Sequence, residues 1–225
     1  MSPLLRAERS LAYDPRAVVL ALTLAATLVS PATAQQALEP QMSPPEIAEA
    51  LRAGGYVLLI RHAATTGQVD ADGIDFADCA TQRDLSELGE RQSREMGDAI
   101  RALEIPIGKV LSSPYCRCTR TAELAFSEAE VSISEILRGG LAGDDQGAKV
   151  RQMLATKPAA GTNTVIVSHT GALLYSFGLQ SNPEGIAHVF QPAPYGPARY
   201  LGLVLPDRWQ ALAEGPSPSP TLAPH

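Results

Sequence analysis

Short apolar runs alternate with amphipathic segments through most of this chain, and that alternation limits its fold more than any other feature. "YVLLI" (56–60), "KVLSS" (109–113), "VSISEI" (131–136) and "NTVIVSH" (163–169) read as strands. Among them, "SELGERQSREMGDAIRAL" (86–103), "PYCRCTRTAELAF" (114–126), "DDQGAKVRQMLATK" (144–157) and "GALLYSFGL" (171–179) read as helices. A run such as YVLLI has no polar alternation, so both of its faces must be covered. Strands of that kind, separated by helices, form a mostly parallel sheet with a helical layer on each side. The expected architecture is a single-domain α/β fold, a three-layer α/β/α sandwich. "AHVFQ" (187–191) and "RYLGLVL" (199–205) are expected to close it as a hairpin-like edge. Ahead of the first strand, "SPPEIAEALRAGG" carries its own punctuation: Ser43 as N-cap, Pro44 in the first turn, Glu46 closing a capping box and Gly54-Gly55 ending the helix.

The two ends of the chain do not share this pattern. Arg6, Arg9 and Arg16 precede "AVVLALTLAATLV", about 13 apolar residues, short of the ~20 that a membrane span needs. Ala32-Thr33-Ala34 then fits a small-x-small cleavage pattern. Residues 1–34 are expected to be a secretory signal peptide cut after Ala34, with an uncleaved anchor as the alternative. A secreted or periplasmic chain without stable membrane insertion follows. Residues 35–43 form a polar lead-in, 44–213 the folded domain, and 214–225 ("EGPSPSPTLAPH") a Pro/Ser-rich tail that cannot build a core.

Export implies an oxidising compartment, so Cys79, Cys116 and Cys118 should give one disulfide and one free thiol. Cys116 and Cys118 lie two apart on a helix and face different ways. The expected pair is Cys79 with Cys116. The formal net charge is −6, and a chain of that sign is a poor ligand for nucleic acid. A small anion needs only a local knot of positive charge.

Arg61-His62 supplies the first part of such a knot. It sits at the carboxyl end of the YVLLI strand, where open parallel sheets bind ligands. "KVLSSPYCR" runs off another strand into a helix, with Ser113 as expected cap and Pro114 at its first position. That places Arg117 in the first turn, where free N–H groups and the dipole favour anions. "TVIVSHTG" ends a third strand in His169. The VSISEI strand is expected to deliver Glu135 to the same edge. This set suits phosphoryl transfer through histidine: an imidazole nitrogen attacks phosphorus while Arg forks hold the equatorial oxygens. A carboxylic acid then protonates the leaving oxygen and activates water. His62 is the expected nucleophile, His169 the second phosphate contact and Glu135 the acid, with Asp144 and Asp145 as alternatives.

Four motifs in order, "LIRHAATT", "RDLSELGERQS", "VLSSPYCRCTRTAEL" and "VIVSHTG", resemble the phosphoglycerate-mutase-like branch of the histidine phosphatase superfamily. The resemblance spans roughly residues 51–205. It implies a phosphohistidine on His62, a pocket completed by Arg61, Arg117 and His169, and neither metal nor cofactor. It also implies a phosphate-loop contact from Thr65. "ISEILRGGLAG" is similar to the family's Leu-x-Glu-x-x-x-Gly-x-x-x-Gly stretch and points to Glu135. Two departures stand out. Ala63 replaces the frequent Gly after Arg-His, as in small phosphohistidine phosphatases. Thr170 after His169 argues against the acid-phosphatase and phytase branch.

Rival chemistries fit less well. No cysteine has the Arg six positions later that a cysteine phosphatase requires. The calcium-like "DADGID" at 70–75 has Thr81 where its closing Glu belongs. Taken alone, Arg61-His62, Arg117 and Glu135 each have structural readings, as a capped turn, a solvated helix residue and a surface acid; their convergence carries the functional one. His188 and His225 are read as bystanders. The expected function is a metal-independent phosphomonoester hydrolase acting on a small phosphorylated substrate. A catalytically silent phosphate- or phosphoglycan-binding protein and a phosphomutase are the alternatives. The physiological substrate and the oligomeric state have no readable code in the sequence.

Overall fold

The structure, a computed structural model, describes residues 39–127, 129–138 and 144–214, apart from the side chains of Asp144 and Asp145. The expected leader (1–34), most of the Pro/Ser tail and the two aspartate side chains therefore lie outside the described residues. Within them, six strands form one sheet: β1 (Val57–Arg61), β2 (Ile107–Ser112), β3 (Val131–Ile133), β4 (Asn163–Ser168), β5 (Ala187–Gln191) and β6 (Arg199–Val204). Their order across the sheet is β3-β2-β4-β1-β5-β6. The first four run parallel, and β5 and β6 add an antiparallel edge. The mostly parallel α/β architecture read from the sequence is the one observed.

Helices cover both faces. α1 (Pro44–Ala53), α2 (Glu87–Ala102), α3 (Cys116–Ala125) and the short α6 (Trp209–Glu214) share one core with Leu58, Ile60, Val110, Val165 and Val167. α4 (Asp144–Ala155) and α5 (Thr170–Phe177) share the other with Val57, Leu59 and Ile166. Val57 through Ile60 thus alternate between two dry layers, and each is at most 3% exposed. That is why the strand carries no polar position. α1 begins as read: the Glu46 carboxylate accepts the Ser43 N–H at 2.7 Å. Ser86 likewise caps α2, accepting the Gly89 N–H at 3.2 Å.

Two boundaries and one added helix differ from the sequence reading. α3 starts at Cys116 with Tyr115 as N-cap, because the Ser113 hydroxyl lies 3.0 Å from His169 Nε2 and is used there. β3 ends at Ile133 rather than Ile136. The Ser134 N–H still reaches the Ser112 carbonyl at 2.8 Å, but the chain then coils into a 3-10 turn, Glu135–Arg138, that buries Leu137. α6 had no signal in the sequence reading; its Trp209 is fully buried and anchors it.

The register brings the carboxyl ends of the strands level. Arg61 pairs with Ser168, and Ser112 with both Val167 and Ile133. The loop after β1 is pressed onto α2: a Cβ on Gly89 would meet the Ala64 carbonyl oxygen at 1.9 Å, so that approach requires glycine. Among the described residues no helix is long and apolar enough to cross a membrane.

Candidate active site

The four residues expected at the strand ends come together. Arg61, His62, Arg117 and His169 line one cleft of about 370 Å³ at the carboxyl edge of the sheet. The rings of His62 and His169 stand 5.4 Å apart at a steep angle. β1 delivers Arg61-His62, the first turn of α3 delivers Arg117, and His169 is the N-cap of α5. Thr170 and Gly171, at the start of α5, also line the cleft, so its dipole favours an anion there.

His62 is 2% exposed. Its Nδ1 lies 3.0 Å from the Ala63 carbonyl oxygen. A carbonyl only accepts, so Nδ1 carries the proton and Nε2 keeps its lone pair. Burial pushes the His62 pKa down to about 4, and Arg117 and Arg61 push the same way against the Ala63 hydrogen bond and Glu184. Burial, His62 and the arginines hold His169 well below the usual imidazole range too. Both rings are neutral at neutral pH.

The cations are braced from behind by groups the sequence reading missed. Arg61 donates to the Ser181 carbonyl at 2.8 Å, to the Asn182 side chain, and to Glu184 at 3.1 Å. Arg117 donates to Asp70 at 3.0 Å and lies over the Tyr115 ring, 4.1 Å from its centre. Arg83, also in the cleft wall, stands 3.9 Å from Glu184. Arg61, Arg83 and Arg117 each hold a buried Nε–H without a partner. Buried donors of that kind are costly unless something accepts from them. Three guanidinium-bearing side chains lining one cleft beside two neutral imidazoles make a receptor for an oxyanion.

Glu135 and Thr65 take other places. Glu135 opens the 3-10 turn, is exposed, and does not line the cleft. The early end of β3 turns it out while Leu137 turns in. Thr65 gives its N–H to Glu184 at 2.8 Å and its hydroxyl at 3.1 Å, so it braces the cleft from outside. Burial would raise the Glu184 carboxyl, but the Thr65 N–H, His62 and Arg61 outweigh it and hold it below the usual range. Among the described residues no carboxylate lines the cleft, and no group of three or more His, Cys, Asp and Glu is placed to hold a metal.

The cysteines follow the expected arithmetic. Cys79 is bonded to Cys116, which ties the 63–82 loop to the residue before Arg117. Cys118 is free and buried, its thiol pushed up to about 12 by burial. That thiol is inert packing beside His169.

Residues 57–164 match the sequence model of the histidine phosphatase superfamily (branch 1). That segment carries the superfamily's pattern. The match supports phosphatase or phosphomutase-like chemistry. Comparison with proteins of curated function finds no match. Among solved structures the chain is similar to the protein histidine phosphatase SixA complexed with tungstate, at 17% identity and TM-score 0.48, covering 68% of this chain and 98% of that one. It is similar to a phosphoserine phosphatase from Entamoeba histolytica at 16% identity and TM-score 0.47, covering 66% and 95%. An alpha-ribazole phosphatase from Shigella flexneri compares at 17% and 0.47, covering 65% and 96%.

Proposed function

We propose that this protein is a metal-independent phosphomonoester hydrolase with His62 as nucleophile. The observation that carries the reading is the neutral His62 ring, its Nδ1 proton tied to Ala63, in a cleft lined also by Arg61, Arg83 and Arg117. The His62 Nε2 lone pair attacks phosphorus as the ester P–O bond breaks, giving an N-phosphoryl imidazolium that keeps its Nδ1 proton and an alkoxide that takes a proton from solvent water. Water then attacks phosphorus, the P–N bond breaks, and inorganic phosphate leaves a neutral His62. Arg61, Arg83, Arg117 and His169 hold the oxygens as charge spreads over them.

The proton for the leaving oxygen has no carboxylic donor among the described residues lining the cleft. Asp70 and Glu184 are bound to Arg117 and Arg61. Rates should therefore rise steeply as the leaving group becomes more acidic. The same feature favours a second reading, a catalytically silent phosphate-binding protein. Hydrolysis of para-nitrophenyl phosphate across pH 4–8, with chelator present and His62→Ala in parallel, separates the two. Chelator-resistant turnover lost in the variant supports the hydrolase; tight phosphate binding without turnover supports the binder. Export to the periplasm or beyond is part of the proposal, on the leader-like residues 1–34.

A further inference from the structure

The cleft is larger than its phosphate end. His62 and Arg117, 2% and 6% exposed, form its floor, while Tyr115, Leu174, Tyr175 and Arg138 continue the wall toward solvent. Pockets of about 300 Å³ and more hold whole small organic molecules. At about 370 Å³, this one has room for a body beyond the phosphoryl group.

The wall has an ordered chemistry. The Tyr115 ring meets His169 edge-on at 4.9 Å, the Phe76 ring meets Tyr115 at 5.0 Å, and the Arg138 guanidinium lies 4.4 Å above the centre of Phe76. Two aromatic rings thus lead from the phosphate end to a fourth arginine. Phe76 is firmly seated: Asp75 accepts the Ala77 N–H at 2.9 Å, Gln82 donates to the Asp75 carbonyl at 2.9 Å, and the Cys79–Cys116 bond closes the turn.

Arg138 differs from the inner arginines. Arg61 and Arg117 are each bound to a carboxylate, and Arg83 stands near one. Among the described residues Arg138 has no ion-pair partner. A guanidinium stacked on a ring is positioned without being neutralised, and its forked donors stay available.

We infer that the cleft selects phosphomonoesters whose flat or apolar body carries a second anionic group, with the phosphate at the His62 end and the second anion on Arg138. This rests on the phosphate-site reading above. The shared chemistry is an oxyanion, a carboxylate or a second phosphate. Binding of non-hydrolysable probes tests it independently of turnover. Calorimetry on the chain and on Arg138→Gln would compare phenylphosphonate, 4-carboxyphenylphosphonate and 1,4-phenylenediphosphonate.

A charge-assisted hydrogen bond predicts roughly tenfold tighter binding of at least one doubly anionic probe. That advantage should vanish in Arg138→Gln, whose exposed position leaves the core intact. An advantage for the carboxylate alone narrows the class to carboxylated phosphomonoesters, and one for both extends it to bisphosphates. Equal binding of all three probes to the unaltered chain, or an advantage that survives in Arg138→Gln, overturns the inference while leaving the phosphate site standing. Failure of every probe to bind overturns both.

Discussion

Two regions of this molecule bury a neutral imidazole, and only one of them leaves a ring nitrogen free beside a set of arginines. Burial pushes both His62 and His188 down to about 4. His188 sits between β1 and β6 with both ring nitrogens engaged, Nε2 3.0 Å from Ser181 Oγ and Nδ1 3.2 Å from Tyr200 Oη. His62 has one nitrogen engaged, by Ala63, and shares a cleft with four arginines. A depressed pKa therefore does not mark a nucleophile. The distinction lies in the unspent lone pair and in the cations that would hold what it attacks.

The comparison can be broken most sharply at His62. His62→Ala should lower turnover by more than ~10³-fold, because the nucleophile and its covalent route vanish together. Steady-state hydrolysis of an aryl phosphate measures this, and a loss under tenfold would remove His62 from that role. Arg117→Ala should cost roughly 10²–10³-fold in kcat/KM, as loss of one preorganised transition-state donor does. Glu184→Gln should cost about tenfold, chiefly in KM, since it loosens Arg61 and Arg83 without touching the nucleophile. A kcat effect as large as that of His62→Ala would make Glu184 part of the chemistry instead.

His188 answers to stability rather than rate. The unfolded chain titrates its histidines near 6.5, whereas the folded chain holds His62 and His188 at about 4. The unfolded state therefore takes up protons first. The stabilisation is complete above pH 6.5 and is lost as pH falls toward 4. Tm should drop across that window, and His188→Gln, which keeps hydrogen-bonding capacity without titrating, should drop less. An unchanged Tm slope in the variant would contradict this account of His188. Glu135→Gln should change turnover by less than about twofold, and a selective loss on poor leaving groups would return Glu135 to the site.

The inner end of the cleft was legible in the sequence because each of its residues belongs to a local pattern. Arg61 and His62 end an apolar run, Arg117 opens a helix, and His169 joins a strand to a helix. The supporting shell was not, because its pairings are distant in sequence: Asp70 meets Arg117 across 47 positions, and Glu184 meets Arg61 across 123. Glu184 follows Pro183 in a connecting segment with no periodicity to draw the eye. Glu135 was misplaced for the converse reason. VSISEI has the composition of a strand, and only the burial of Leu137 shows that the chain turns after Ile133.

The central claim is that a phosphoryl group passes through His62, and trapping it is the most direct test. The chain would be mixed with a phosphomonoester labelled in its phosphoryl group, quenched within milliseconds in alkali, and digested, and the label located by peptide mapping. The account predicts an alkali-stable, acid-labile phosphoryl group on the peptide containing His62. Turnover with no label at that position, or with the label on His169, would contradict it.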